Sequence, residues 1–268
     1  MSIGFARRVA LTLAVVVASG LFVSAAQAEL VIDLRLKGVT GTAFEIIGPK
    51  KVQYTYSGTG SIQFEAWAII TGAPGNPGLE GLLGMFGSFY SSNVDGGVVK
   101  GNLSSALVSQ WKGLGFVEGA VADLDGDGDL DIGSTVHTSA TGWFSPISAF
   151  SPNYTTPANS SNVPPNAFEA LPDGGFAVKL ADLTFTLTGD VPAPPVSAVT
   201  NLAWVGRTKT GPTVHPATWQ EDGVTSIRLT TIGSSIGSTG PIEIVPEPAS
   251  IALVTLLGAV ALVWFRRR

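Results

Sequence analysis

Five aspartates at alternate positions form the stretch of this sequence whose residue types and spacing are best suited to chemistry. They lie between residues 123 and 134 and are Asp123, Asp125, Asp127, Asp129 and Asp131. Counted from Asp123, carboxylates stand at the first, third, fifth and ninth places, and Gly128 at the sixth place allows a sharp turn. Such a loop can surround a hard cation that prefers oxygen ligands, with the backbone carbonyl of Asp129 completing the ring. The spacing therefore predicts a calcium loop, and a solvated acidic turn without an ion stays open as the alternative.

This stretch resembles the aspartate-rich calcium loops of EF-hand-like, dockerin and FG-GAP repeat proteins. The resemblance implies a carbonyl ligand from Asp129 and side-chain ligands from Asp123, Asp125, Asp127 and Asp131. The twelfth place departs from the EF-hand and dockerin pattern, because Ser134 stands where those loops carry a bidentate acid. FG-GAP loops close at the ninth place and fit better, although a single copy supports neither a dockerin nor a propeller of repeats. An ion caged by protein ligands gives no reason to expect catalysis, so the predicted role is structural.

Residues suited to catalysis are scarce in the rest of the sequence. Cysteine is absent, and the two histidines are His137 and His215. A glycosidase needs two carboxylates that face each other across a cleft. Spacing selects no such pair among the glutamates that could serve, which are Glu45, Glu65, Glu118 and Glu169. We therefore predict a non-enzymatic protein without catalytic residues.

The elements expected to position the calcium loop are short β-strands. Residues 30–36, 61–70, 176–187 and 199–205 have strand-like patterns, and Gly, Pro and Ser separate such stretches at short intervals. This pattern predicts a mainly β body over residues 29–232, an antiparallel β-sandwich of the jelly-roll or immunoglobulin-like type. Residues 103–111 suggest a short helix, with a turn between strands as the alternative. Without cysteine, such a body rests on its core or on bound metal.

The first 28 residues have the pattern of a secretory signal peptide. A charged start with Arg7 and Arg8 precedes an apolar run from Val9 to Val23, and small residues follow at 26–28. The mature chain is expected to begin at Glu29. The protein is therefore predicted to be exported.

The opposite end of the chain has the pattern of a membrane anchor. Residues 249–265 carry no charge over 17 residues, and as a helix they would cover about 25 Å, slightly less than a bilayer core. Three arginines at 266–268 follow and favour the cytoplasmic side of a membrane. The sequence thus predicts one C-terminal transmembrane helix, with the body on the outside.

Residues 245–268 as a whole resemble the PEP-CTERM sorting signal of Gram-negative and related bacteria. The sorting motif is Pro246, Glu247 and Pro248, and the apolar span and the arginines follow it in the family's order. The resemblance implies an exosortase as the partner at the membrane, which would cut near the motif and pass the protein to the surface. Residues 233–244 are rich in Gly and Ser and predict a flexible spacer that gives this enzyme access to Pro246. An ordinary single-span anchor is the alternative.

Charge argues against nucleic acid as a partner. The chain has 15 basic and 20 acidic residues, and five of the arginines lie in the two terminal signals, so the remaining chain has a net charge of about −10. Nucleic-acid binding needs a basic surface that displaces counterions. Divalent cations are the better match for this charge.

Together these features predict an exported protein that is transiently anchored in the inner membrane and then lies at the cell surface or in the extracellular matrix. A carbohydrate-binding module acting on exopolysaccharide is the alternative function. It would use exposed aromatic rings that stack on sugars. The candidates are the tryptophans of the body, Trp67, Trp111, Trp143, Trp204 and Trp219, although burial of these rings in the core is the more common arrangement.

Overall fold

We describe the protein from a computed structural model. The residues described are 29–55, 58–71, 81–91, 99–113, 116–134, 145–146, 156–157, 167–172, 176–188, 199–206, 217–220 and 237–247. They form a mainly β structure with antiparallel sheets, which confirms the predicted fold class at that level. Both the predicted signal peptide and the predicted membrane span at 249–265 lie outside these residues. No helix among the described residues is long and apolar enough to cross a bilayer.

The strands and the single short helix of the described residues follow one another closely along the chain. In chain order they are β1 (Glu29–Gly41), β2 (Phe44–Gly48), β3 (Lys51–Tyr54), β4 (Gly60–Thr71), β5 (Gly81–Met85), β6 (Gly87–Tyr90), β7 (Gly101–Leu107), α1 (Ser109–Gly113), β8 (Phe116–Val117), β9 (Ala120–Ala122), β10 (Asp131–Gly133), β11 (Ser145–Pro146), β12 (Thr156–Pro157), β13 (Phe168–Ala170), β14 (Phe176–Leu187), β15 (Thr200–Gly206), β16 (Ala217–Gln220), β17 (Gly237–Ser238) and β18 (Ile242–Pro246). The strands predicted at 30–36, 61–70, 176–187 and 199–205 correspond to β1, β4, β14 and β15.

The first large sheet is built on the three long strands β1, β4 and β14. β1 and β4 pair antiparallel along their whole length, from Glu29 opposite Thr71 to Gly41 opposite Gly60. β14 pairs with the other edge of β4, and β13 and β7 both pair with the far edge of β14. β17 adds two residues parallel to β1 at the opposite end of this sheet.

The second large sheet has the strand order β2-β3-β18-β15-β6-β10-β9. Its C-terminal strand β18 runs parallel to β3 on one side and antiparallel to β15 on the other. The hairpin of β9 and β10 forms one edge of this sheet, and β2 forms the other among the described residues. Two small sheets, β11-β8 and β12-β5-β16, complete the described pairings.

Alternation along the strands separates a core face from an outer face. In β1, Leu30, Ile32 and Leu34 are buried, whereas Asp33 and Arg35, at the alternate positions, form an ion pair on the outer face. Buried residues of both large sheets belong to one hydrophobic core. The rings of Phe44 and Phe185 connect the sheets edge to face, with centroids 6.2 Å apart. The two large sheets therefore stabilise each other through one shared apolar interior.

The flexible spacer predicted for residues 233–244 is wrong over its second half. Residues 237–238 form β17, and β18 begins at Ile242, whose side chain is fully buried together with that of Ile244. Gly and Ser dominate the composition of 233–240, but the alternation of two isoleucines that follows is enough to place a strand in a sheet. The body therefore extends to residue 246, beyond its predicted end at 232.

The helix predicted over residues 103–111 is also wrong for most of its length. Residues 101–107 form β7, which pairs antiparallel with β14 from Gly101 opposite Leu187 to Leu107 opposite Ala181. A helical turn, α1, follows only at Ser109–Gly113. Leu103 and Leu107 are buried on one face of β7. Their separation of four residues is compatible with a helix as well as with a strand, and pairing with β14 decides in favour of the strand.

Candidate metal centre

The aspartate-rich stretch forms the loop of the hairpin between β9 and β10. Ala122 pairs with Asp131, Val121 with Ile132 and Ala120 with Gly133 in antiparallel register. This pairing places Asp123 and Asp131 at the two ends of one loop. β10 in turn pairs with β6 through Ile132 and Phe89, so the second large sheet holds the base of the loop.

Asp123 organises the backbone of this loop. Its Oδ1 accepts hydrogen bonds from the N–H groups of Gly126 at 2.7 Å and Asp127 at 3.1 Å, and its Oδ2 accepts one from Gly128 at 3.1 Å. Gly126 and Gly128 have φ values of +84° and +98°, in the left-handed region that glycine adopts without strain. The glycine expected at the sixth place is therefore needed for the turn.

The carboxylates of the five predicted aspartates form two overlapping groups in this loop. Ligand oxygens of Asp123, Asp125 and Asp131 lie within 4.8 Å of one another, and so do those of Asp125, Asp127 and Asp129. Asp125 belongs to both groups. The residues of each group could hold a metal ion, with Asp125 as the shared ligand.

Asp129 contributes more than the backbone carbonyl that its place in the loop suggests. Its side chain is 1% exposed, and its carboxylate belongs to the group with Asp125 and Asp127. Its Oδ2 accepts a hydrogen bond from the N–H group of Gly101 at 3.2 Å. The loop is therefore attached to the first residue of β7 through the same carboxylate that faces its neighbours.

Asp131 is fully buried and ties the loop to two further segments. Its Oδ1 accepts a hydrogen bond from the N–H group of Ser91 at 2.8 Å, and its Oδ2 accepts one from the N–H group of Leu124 at 3.1 Å. On the outer side, Asn102 Oδ1 accepts from the N–H group of Leu130 at 3.1 Å. These bonds hold the carboxylate of Asp131 and the backbone of Leu130 in place.

The electrostatics of the loop oppose its own ionisation. Burial, opposed by the backbone N–H groups of Ser91 and Leu124 and reinforced by the charges of Asp125 and Asp127, raises the pKa of Asp131 to about 6. Burial followed by the charge of Asp127 also raises the pKa of Asp125. Burial and the charges of Asp131 and Asp125 raise the pKa of Tyr90 to about 12. An excess of negative charge at one place is what a bound cation neutralises.

Lys100 brings a positive charge to the rim of this loop. Its Nζ lies 3.7 Å from the place that a Cβ on Gly128 would occupy. Lys100 precedes Gly101, whose N–H group binds Asp129, so the same backbone segment carries the charge and the hydrogen bond. This residue reduces the negative potential of the loop without belonging to either carboxylate group.

Three of the four glutamates considered for catalysis have structural contacts, and the fourth, Glu45, is exposed on β2. Glu65 pairs with Lys179 at 2.7 Å, and Glu169 pairs with Arg35 at 2.8 Å. Glu118 accepts hydrogen bonds from the hydroxyl of Ser105 at 2.7 Å and from the N–H group of Leu107 at 3.0 Å. These contacts connect strands and fix segments of the fold, which is the ordinary role of such acids.

Three of the five candidate tryptophans for sugar binding are buried. Trp67, Trp111 and Trp204 are 3%, 1% and 6% exposed. Arg35 lies over the ring of Trp67 at 4.1 Å from its centroid, and Trp111 donates its indole N–H to the carbonyl of Lys179 at 3.0 Å. These three rings are therefore not available for stacking on a sugar. The side chains of Trp143 and Trp219 lie outside the described part of the structure.

The spacing of acidic residues in the sequence identified the five aspartates, but it did not identify the hydrogen-bond partners that hold their loop in place. Ser91, Gly101 and Asn102 come from segments 28 to 40 residues away from their partners. Two of the three act through backbone N–H groups, which every residue except proline has, so no sequence signal marks them. Of the predicted sorting motif, Pro246 ends β18 and Glu247 follows it, while Pro248 lies outside the described residues.

Comparisons of this chain with protein-family models, with curated proteins and with solved structures each return no match.

Proposed function

We propose that this chain is an exported, non-enzymatic protein of the cell surface or extracellular matrix, whose body is stabilised by calcium at the loop 123–134. The observation that carries the proposal is the pair of overlapping carboxylate groups that the five aspartates form in one hairpin loop. The shared core of the two large sheets supports a β-sandwich as the body that this loop stabilises.

Calcium suits the loop better than a transition metal. Its described candidate ligands are all carboxylates, and hard cations such as calcium prefer oxygen ligands, whereas zinc and copper favour nitrogen and sulfur. Calcium also tolerates the irregular geometry of a loop in which two overlapping groups share Asp125. The bound ion would neutralise the charge that raises the pKa of Asp131 and would hold the β9–β10 hairpin closed.

Export and sorting follow from the terminal sequences. The signal peptide at 1–28 would direct the chain across the inner membrane, and the span at 249–265 would hold it there briefly. An exosortase acting near the motif at 246–248 would then pass it to the surface or the medium. A body without disulfides depends on its core and on bound calcium for stability outside the cell.

Polysaccharide binding as a direct activity has less support. Burial of Trp67, Trp111 and Trp204 removes three of the five aromatic rings on which it depends. The body would then serve the matrix as a stable domain, and any contact with exopolysaccharide would use other residues.

The calcium proposal is tested by thermal unfolding of the purified exported protein in the presence of calcium or a chelator. An ion at 100 times its Kd stabilises the folded state by about 2.7 kcal/mol, which is a shift of several degrees for a domain of this size. The substitution Asp125→Asn should abolish this shift, because both carboxylate groups include Asp125. Glu45→Gln, at an exposed position in β2, removes the same charge elsewhere and should keep the full response. An equal melting temperature with calcium and with chelator in the unmodified protein would rule the proposal out.

A further inference from the structure

The predicted sorting motif begins inside the folded body. Pro246 is the last residue of β18 and lies opposite Tyr54 in the parallel pairing with β3. The preceding residues Ile242 and Ile244 are fully buried in the common core. The motif is thus joined directly to a strand that has a neighbour on each side, β3 and β15.

Backbone hydrogen bonds extend this attachment to the second residue of the motif. The N–H group of Glu243 donates to the carbonyl of Lys50 at 2.9 Å, and that of Glu247 donates to the carbonyl of Tyr54 at 3.1 Å. Tyr54 is itself 2% exposed. The sheet therefore holds the chain from Ile242 through Glu247.

An enzyme that cuts a peptide bond must bind that bond as an extended segment free of other backbone partners. The cut breaks one C–N bond, and its carbonyl carbon gains the oxygen of a water molecule or the nitrogen of an acceptor amine. The departing nitrogen takes the proton released by that nucleophile. Resting on the sorting proposed above, we infer that the tail is cut on the C-terminal side of Glu247 and that the released domain keeps the whole of β18.

A cut before β18 would destroy the domain that sorting delivers. It would remove Ile242 and Ile244 from the core and leave β3 and β15 without the strand between them. Unpaired strand edges and exposed apolar side chains promote aggregation. A cut beyond Glu247 leaves every described strand in place.

The inference is tested on the full-length chain, produced in a bacterium that has an exosortase, by mass spectrometry of the C-terminal peptide of the released protein. Every released chain should contain residues 242–247. Released chains that end before Glu247 would overturn the inference while leaving the sorting proposal intact. Chains that keep Arg266–Arg268 in every cell fraction would overturn the sorting proposal and this inference together.

Two matched substitutions in β18 test whether the sheet sets the position of the cut. Ile244→Asp places a charge in the core and should release β18, so that additional C-terminal ends appear before residue 247. Glu243→Gln changes a half-exposed side chain of the same strand and should leave the cut unchanged. If both variants release chains with the same C-terminal residues as the unmodified protein, the sheet does not set the position of the cut.

Hydrogen exchange on the full-length protein in detergent gives a measurement that does not depend on whether the Ile244→Asp variant folds. The backbone N–H groups of Glu243 and Glu247 should exchange slowly, as do those in the centre of a sheet. Exchange at the rate of an unstructured peptide at both positions would overturn the inference.

Discussion

Two clusters of charged residues in this protein contain similar carboxylates in opposite electrostatic surroundings. In the loop 123–131, aspartates face one another, and burial together with like charges raises the pKa of Asp131 to about 6. Around Asp33, burial again favours the neutral form, but hydrogen bonds from Lys50, Thr239 and Arg35 lower its pKa to about 2. The protein's own cations complete the second cluster, whereas the first lacks enough of them and is suited to an ion from solution. Burial favours the neutral form in both clusters, and the neighbours decide whether that influence is overcome, as at Asp33, or reinforced, as at Asp131.

Acid should break the cluster around Asp33, and this is the largest effect that we expect from perturbing either cluster in calcium-free buffer. Because its folded-state pKa of about 2 lies below the ordinary value of 3.8, its contribution is fully present above pH 4 and is lost as the pH falls to 2. The loss amounts to about 2 kcal/mol of the free energy of unfolding. Urea unfolding in calcium-free buffer at pH 4 and pH 2 measures it. In Asp33→Asn the free energy of unfolding should fall less between pH 4 and pH 2. An equal fall in this variant and in the unmodified protein would mean that other groups cause the acid sensitivity.

Removing one charge from the loop should have a smaller effect, in the opposite direction. In calcium-free buffer at pH 7, Asp125→Asn should raise the free energy of unfolding by about 0.5 kcal/mol, since solvent screens an exposed group. The reason is that partial burial and the charges of its neighbours Asp127 and Asp123 oppose its ionised form. Chemical unfolding with chelator present measures the gain, and Glu45→Gln provides the control. A clear loss of stability would mean that Asp125 serves the metal-free loop in another way.

The smallest effect is expected at Lys100. Its ammonium lies beside Gly128 and competes electrostatically with a cation in the loop. Lys100→Gln should therefore strengthen calcium binding by about twofold in Kd, which corresponds to less than 0.5 kcal/mol. Calorimetric titration at low ionic strength measures the change, and Lys51→Gln, in the exposed pair with Glu243, is the control. Weaker binding in the Lys100 variant would show that this lysine positions the loop.

Local patterns predicted the loop and several strands, because their determinants lie within a few residues of each other. Alternating aspartates with Gly128 specify a turn that needs no distant partner, and the alternation in β1 and β4 identifies a buried face. Two predictions failed because pairing with a strand far away in the sequence determines the secondary structure at those places. Leu103 and Leu107 fit either a helix or a strand until β14 pairs with them, and Ile242 and Ile244 are too short a pattern to reveal a strand that inserts beside β3.

The hydrogen bonds that hold the loop could not be predicted for a related reason. The N–H groups of Ser91 and Gly101 reach Asp131 and Asp129 only because β6, β7 and β10 come together in the fold. Register between strands is a property of the whole sheet, and a shift of one residue would exchange every side chain between its two faces. The sequence therefore predicts the ligands of the site better than it predicts their supports.

The place of β18 between β3 and β15 also determines when this protein can fold. Glu243 pairs with Lys51, about 190 residues earlier in the chain, so a central ladder of the second sheet has very high contact order. If the chain is exported from its N-terminus, as we propose, β3 would emerge early and β18 almost last. The second sheet would then stay incomplete until translocation is nearly finished, and the domain would close only when the proposed sorting tail becomes accessible.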